Sequence, residues 1–146
     1  MKRCQWANGS EIYQKYHDEE WGVPVYDDRK LFEFLILESA QAGLSWITIL
    51  KRREGYRSAF ANFDPKAVAA FDASKVEELM QDTGIIRNRK KIESAIGNAR
   101  AFLEVQKEFG SFSQYIWDFV DHQPIINHFK SGDELPAKTT LSVAIA

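Results

Sequence analysis

Residues Leu31–Trp46, LFEFLILESAQAGLSW, read as one amphipathic helix followed by a break at Gly43-Leu44-Ser45. At about 100° per residue, Glu38 falls within about 20° of Leu31 and is flanked by Phe34, Leu35 and Ala42. The clearly polar direction of this helix belongs to Glu33, nearly opposite. Glu38 therefore reads as a carboxylate buried in an apolar face. An unpaired ionised carboxylate in such a place is costly, so it must be protonated, paired or held for a ligand. Trp46 follows the break, and Trp6, Tyr13, Tyr16 and Trp21 crowd the start of the chain. A buried acid among indoles and phenols suits a flat, electron-poor or cationic ring. A structural glutamate satisfied by an arginine, a tyrosine or a backbone amide explains the pattern equally well.

Helix starts recur outward from this stretch, whereas strand alternation is hard to find. Asp64-Pro65 reads as an N-cap with proline at the first helical position. Ser74-Lys75-Val76-Glu77 reads as a capping box, with Gly84 as the stop of its helix. Ser111-Phe112-Ser113-Gln114 reads as a second box, opening a short helix through Tyr115 and Phe119. Between them, Asn88 to Phe109 carries Ile92, Ala95, Ile96, Ala99, Phe102 and Leu103 at helical spacing, and Ser45 can cap a helix through Trp46, Ile49 and Leu50. Connections are short and nothing repeats. The expected fold is all-α, a compact multi-helix array of about seven short helices in a single domain over residues 1–146. Thr139–Ala146 reads as the opening turns of a helix with no closing signal, so the domain is expected to be truncated at the C-terminus.

Composition narrows the function classes. A net charge of −2 gives no global basic field, which counts against nucleic-acid binding unless a local patch serves. The single cysteine, Cys4, excludes an internal disulfide and fits a reducing compartment. The N-terminal MKRCQWANGS has no apolar signal region, and no uncharged run approaches the length of a bilayer span. No membrane partner and a cytoplasmic location are expected.

Few motifs carry chemistry. Cys4 and His17 are metal-capable, but a tetrahedral zinc shell needs four ligands and the other histidines are His122 and His128. A buried thiol and a hydrogen-bonded imidazole are the commoner explanation. His17-Asp18 and Asp121-His122 hint at a metal-dependent phosphohydrolase with too few histidines. Gly84–Lys91, GIIRNRKK, reads as a phosphate-contacting turn or, in slight preference, as a solvated charged helix start. Lys51-Arg52-Arg53 reads as the solvent face of its helix. No nucleophile elbow, P-loop or dinucleotide fingerprint is present.

Several segments then match together. RCQW at Arg3–Trp6, YHDEEWGVP at Tyr16–Pro24, QAGLSW at Gln41–Trp46, FDP at Phe63–Pro65, GIIRNRKKI at Gly84–Ile92, GNARA at Gly97–Ala101 and WDFVDHQP at Trp117–Pro124 lie in collinear order along the chain. The chain resembles the DNA-3-methyladenine glycosylase I (Tag) family.

That resemblance implies a helix-hairpin-helix glycosylase-like fold. It also implies a monofunctional DNA-repair enzyme that hydrolyses the glycosidic bond of 3-methyladenine in alkylated double-stranded DNA, acting as a monomer. Carried onto matching positions, Trp46 stacks on the base and Glu38 and Tyr16 bond its edge, while Trp6, Tyr13 and Trp21 complete an aromatic wall. Cys4 and His17 match two of the family's structural zinc ligands. The other two, and the glycine-containing hairpin that grips DNA, have no counterpart in this sequence. An alternative is a methylpurine-binding module without efficient excision.

Overall fold

The computed structural model describes residues 2–130 and 134–145. Among them the chain forms nine α-helices and no strand: α1 (Glu11–Glu19), α2 (Asp28–Ala40), α3 (Trp46–Lys51), α4 (Arg53–Ala59), α5 (Pro65–Ala69), α6 (Ala73–Leu79), α7 (Arg89–Phe109), α8 (Phe112–Asp118) and α9 (Thr140–Ile145). The all-α expectation holds, with two more helices than expected and one of them long. No helix among the described residues is long and apolar enough to cross a membrane.

The spine is α7. Asn88 caps it by accepting a hydrogen bond from the Lys91 amide at 3.1 Å, and Gly110 ends it at φ +89°. Its buried residues Ile92, Ala95, Ile96, Ala99 and Phe102 fall on one face, against which α2, α5, α6 and α8 pack. Phe102 stacks on Phe112 with centroids 4.4 Å apart and meets Phe32 of α2 at 5.1 Å. Asp28, the first residue of α2, accepts from the amides of Phe112 and Ser113 and from Gln106 Nε2. One carboxylate thus satisfies the positive end of α8 and fixes it to α2 and α7.

Several helix starts are as expected. Asp64 caps α5 with Pro65 at its first position, and Ser111 caps α8 by accepting from the Gln114 amide. Ser45 stands at the start of α3, although its hydroxyl pairs with Thr48 Oγ1 at 2.7 Å.

Two expectations are corrected. The cap of α6 is Asp72, which accepts from the Lys75 amide at 2.9 Å, so Ser74 lies inside the helix. Gly84 does not stop α6, which ends at Leu79. It lies against Gly55 so closely that a Cβ on Gly55 would come within 2.0 Å of the Gly84 carbonyl oxygen. Its glycine permits two backbones to meet.

The orientation of α2 is the larger correction. The buried residues are Phe32, Glu33, Ile36, Leu37 and Ala40, whereas Leu35 and Glu38 are exposed. Glu33, read as the outward direction, points into the protein. Arg53 donates to it from Nε at 2.6 Å, and Arg57 and Lys30 lie within ion-pair distance. A carboxylate can be buried when paired and hydrogen-bonded in this way. For the same reason Arg53 is not part of a solvent face. Arg52 also turns inward, donating to the carbonyls of Thr83 at 2.8 Å and Ile85 at 3.3 Å.

Candidate functional site

Glu38, near the C-terminal end of α2, faces a cavity of about 320 Å³ instead of the core. Trp6, Tyr13, Tyr16, Trp21, Glu38 and Trp46 all line it, so six residues singled out from sequence meet in one place. Its volume is at the lower end for small-molecule sites. Tyr13 and Tyr16 lie one turn apart on α1, capped by Ser10, and project from one face. Trp46 opens α3 and lies opposite, 5.5 Å from the Tyr16 ring. Trp6 joins the rings, with its centroid 5.2 Å from Tyr13, 6.2 Å from Tyr16 and 5.4 Å from Trp21, in edge or tilted contacts. These edge contacts leave aromatic faces open to a flat guest.

Gln41 also lines the cavity and was not singled out from sequence. Its position three residues after Glu38, on the same helical side, was the available signal. Its Nε2 donates to the Leu44 carbonyl at 3.0 Å.

The polar groups in this cavity are few. Glu38 has no hydrogen-bond or ion-pair partner among the described residues. Water reaches it through the open cavity, yet the protein around it displaces enough solvent to raise its carboxyl above the ordinary glutamate range. Burial likewise raises the Tyr16 phenol, and the charges of Glu38 and Glu20 push it further, while Arg53 opposes them. Among the described residues, the Trp46 indole N–H is the buried side-chain polar atom that lacks a partner. It approaches the Tyr16 oxygen closely enough to favour the phenolate slightly, without reaching hydrogen-bond geometry. The cavity thus offers one free acceptor, one free indole donor and a phenol between aromatic walls. A planar base with hydrogen-bonding edges, cationic rather than neutral, satisfies all of them.

An ion network fixes the two sides. Arg53 of α4 donates to both oxygens of Glu20 at 2.7 Å and also to Glu33. Burial alone would raise the Glu20 carboxyl, but the hydrogen bonds and charges of Arg53 and Lys30 together outweigh it and hold it below the usual range. Burial would lower the guanidinium pKa, and the same bonds push it above the ordinary arginine value. Glu20 directly follows α1 and Glu33 lies in α2, so one arginine joins both walls.

Cys4 and His17 come together as expected. The Cys4 amide donates to His17 Nε2 at 3.3 Å, and His17 Nδ1 lies 3.1 Å from Asp18, which Arg3 grips. A carboxylate on the second ring nitrogen suits a metal-binding imidazole. Cys4 and His17 are both residue types that can hold zinc, although here the Cys4 amide takes up His17 Nε2. No group of three or more metal-capable side chains occurs among the described residues, and His122 pairs with Asp118 instead. In the Arg87–Lys91 cluster, Arg89 pairs with Glu77 and Lys91 donates to carbonyls of the 40–42 segment, leaving Arg87 and Lys90 exposed.

The chain as a whole is similar to known proteins. The profile of the methyladenine glycosylase family matches residues 6–146. The chain is 49% identical over 146 residues to DNA-3-methyladenine glycosylase 1 of Escherichia coli strain K12, covering 100% of this chain and 78% of that protein. It superposes on a crystal structure of 3-methyladenine DNA glycosylase I with a TM-score of 0.95 at 51% identity, over 99% of this chain and 79% of the other. A structure of a 3-methyladenine DNA glycosylase I in complex with 3-methyladenine superposes with a TM-score of 0.95 at 34% identity, over 99% and 78% of the two chains.

Proposed function

The chain belongs to the methyladenine glycosylase family, and from that membership we propose that its cavity receives 3-methyladenine extruded from alkylated duplex DNA. The protein is a DNA-repair enzyme that hydrolyses the N-glycosidic bond of that base. One observation carries the assignment of the cavity: a single unpartnered carboxylate, Glu38, in a pocket walled by five aromatic residues and Gln41.

The chemistry explains why so few polar groups suffice. Methylation at N3 makes the adenine cationic in DNA and weakens its bond to the sugar. When the bond between C1′ and N9 breaks, its electron pair neutralises the base and the positive charge passes to the sugar. Water then adds at C1′ and loses a proton. The leaving base needs no added proton, so the residues must recognise the base and stabilise the separating charges. In this reading Trp46 stacks on the base, Glu38 and Tyr16 bond its edge, and Trp6, Tyr13 and Trp21 close the wall. Action as a monomer belongs to the same reading. Extrusion costs a few kcal/mol of unstacking, which contacts to the surrounding DNA must offset.

Cys4 and His17 are further proposed as two ligands of a structural zinc, whose remaining ligands would lie outside the described residues. A helix-hairpin-helix glycosylase-like fold belongs to the same reading.

The test is single-turnover release of 3-methyladenine from methylated duplex by the parent, Glu38→Gln and Trp46→Ala. The parent releases the base and both variants are slowed by about a hundredfold. Variants as fast as the parent would remove the pocket assignment. A parent that binds the free base without releasing it from DNA would leave only a binding module.

A further inference from the structure

The strongest feature outside the cavity is the Lys91 ammonium. It lies 2.8 Å from the Ala40 carbonyl oxygen and 2.6 Å from that of Ala42, and it has no carboxylate partner among the described residues. The Ala40 carbonyl ends α2, where backbone acceptors lack helical partners and the helix dipole is negative, and that of Ala42 lies in the turn just beyond. The lysine is itself held, because its amide is bonded to the cap Asn88 at the start of α7.

The gripped segment connects the functional groups of one cavity wall. Glu38 lies just before it and Gln41 within it. Gly43, at φ +79°, turns the chain, and the Leu44 amide closes that turn on the Gln41 carbonyl at 2.7 Å. Trp46 follows two residues later. Ala42 and Gly43 are exposed and contribute no packing of their own. Ala40 is anchored in the core, and Lys91 joins the bonds between Gln41 and Leu44 in holding the exposed turn that follows it.

We propose that Lys91 is a positioning residue for the excision reaction: through the Ala40 and Ala42 carbonyls it sets Glu38 and Gln41 against Trp46 at the separation the base requires. The proposal rests on the reading of the cavity as the seat of 3-methyladenine. It differs from a phosphate contact, the role suggested by the cationic run in which Lys91 occurs. A misplacement of about 1 Å in a site of this kind can slow a reaction by about a hundredfold.

The same helix supplies a matched control. Arg100 of α7 donates from Nε to the Ala69 carbonyl at 3.2 Å, gripping the end of α5 in the same manner, with no contact to the cavity lining. The experiment compares the parent, Lys91→Met, Lys91→Arg and Arg100→Met in affinity for free 3-methyladenine, single-turnover excision and thermal midpoint. Below the midpoints, Lys91→Met should lose about tenfold in both base affinity and excision. Lys91→Arg, which keeps donors for the carbonyls, should recover most of the loss. Arg100→Met should match the parent in both, even where its midpoint falls as far.

Equal loss in Lys91→Met and Arg100→Met would make the effect one of general stability and overturn the proposal. Unchanged affinity for the free base, with weaker and less salt-sensitive DNA binding, would make Lys91 a phosphate contact and overturn it too. A parent that binds no 3-methyladenine would instead remove the functional reading, and this proposal with it.

Discussion

The two walls of the cavity are held by different physics. The wall formed by α2 and α3 is part of the core: Phe32, Ile36, Leu37, Ala40, Ile49 and Leu50 are buried behind it, and Lys91 ties its turn to α7. The opposite wall, α1 with Trp6 and Trp21, has no buried residue in its helix. It is held by ring contacts, by packing of α1 on α3 and by the bond of Arg53 to Glu20. Burial of apolar area fixes the first wall, and directional contacts fix the second. A flat guest between them supplies the missing packing for the second wall, so binding should order α1 much more than α2.

The largest effect comes from removing the link between the walls. Arg53→Met leaves Glu33 buried without its main partner and frees Glu20. Such a change should cost about 3–5 kcal/mol of unfolding free energy, measured by urea denaturation. A loss under about 1 kcal/mol would mean that Arg57 and Lys30 suffice and that the walls are joined otherwise.

A second test uses acid. Glu38 has a raised pKa in the fold, so the folded state favours its protonated form. Its contribution to stability is therefore present below the unfolded glutamate value of about 4.3 and is lost as pH rises through the higher folded value. Function runs the other way, because only the ionised form opposes the charge of the base and has both oxygens as acceptors. Excision by the parent should fall on acidification before ordinary glutamates titrate, while Glu38→Gln should lack that step and be at least as stable at neutral pH. A step retained in Glu38→Gln would assign it to another group.

The smallest expected effect is at the exposed end of the weaker wall. Trp6→Ala removes ring contacts worth about 0.5–1.5 kcal/mol each. It should weaken binding of 3-methyladenine by about tenfold at most and lower the urea midpoint by less than Arg53→Met does, since Trp6 is 39% exposed. A midpoint shift as large as that of Arg53→Met would erase the distinction between the walls.

Much of the site was legible because its signals are local. Residue type and spacing found Glu38, Trp46 and the early aromatics, and the caps at Asp64, Asn88 and Ser111 mark their helices. Periodicity turns the face of α2 the wrong way round because Leu31, Phe34 and Leu35 form an apolar stripe outside the core, as exposed or half-buried residues. Periodicity alone does not separate such a stripe from one lining the core. Glu33 was taken as outward because its partner Arg53 lies 20 residues away, and Lys91 grips carbonyls 51 and 49 residues away. No local window contains both members of such a pair. Asp72 displaced Ser74 as a cap because two acceptable cap residues stood two apart.

The most direct test of the seat of the base is the set of indole N–H resonances as 3-methyladenine is added. The chain has four tryptophans. Trp6, Trp21 and Trp46 line the cavity, and the unpartnered Trp46 N–H should shift most. Trp117, whose indole donates to the Val25 carbonyl at 2.7 Å and whose ring stacks on Tyr26, should stay in place. Movement of the three cavity resonances with Trp117 unchanged is the predicted result. A shift confined to Trp117, or none at saturating base, would contradict it.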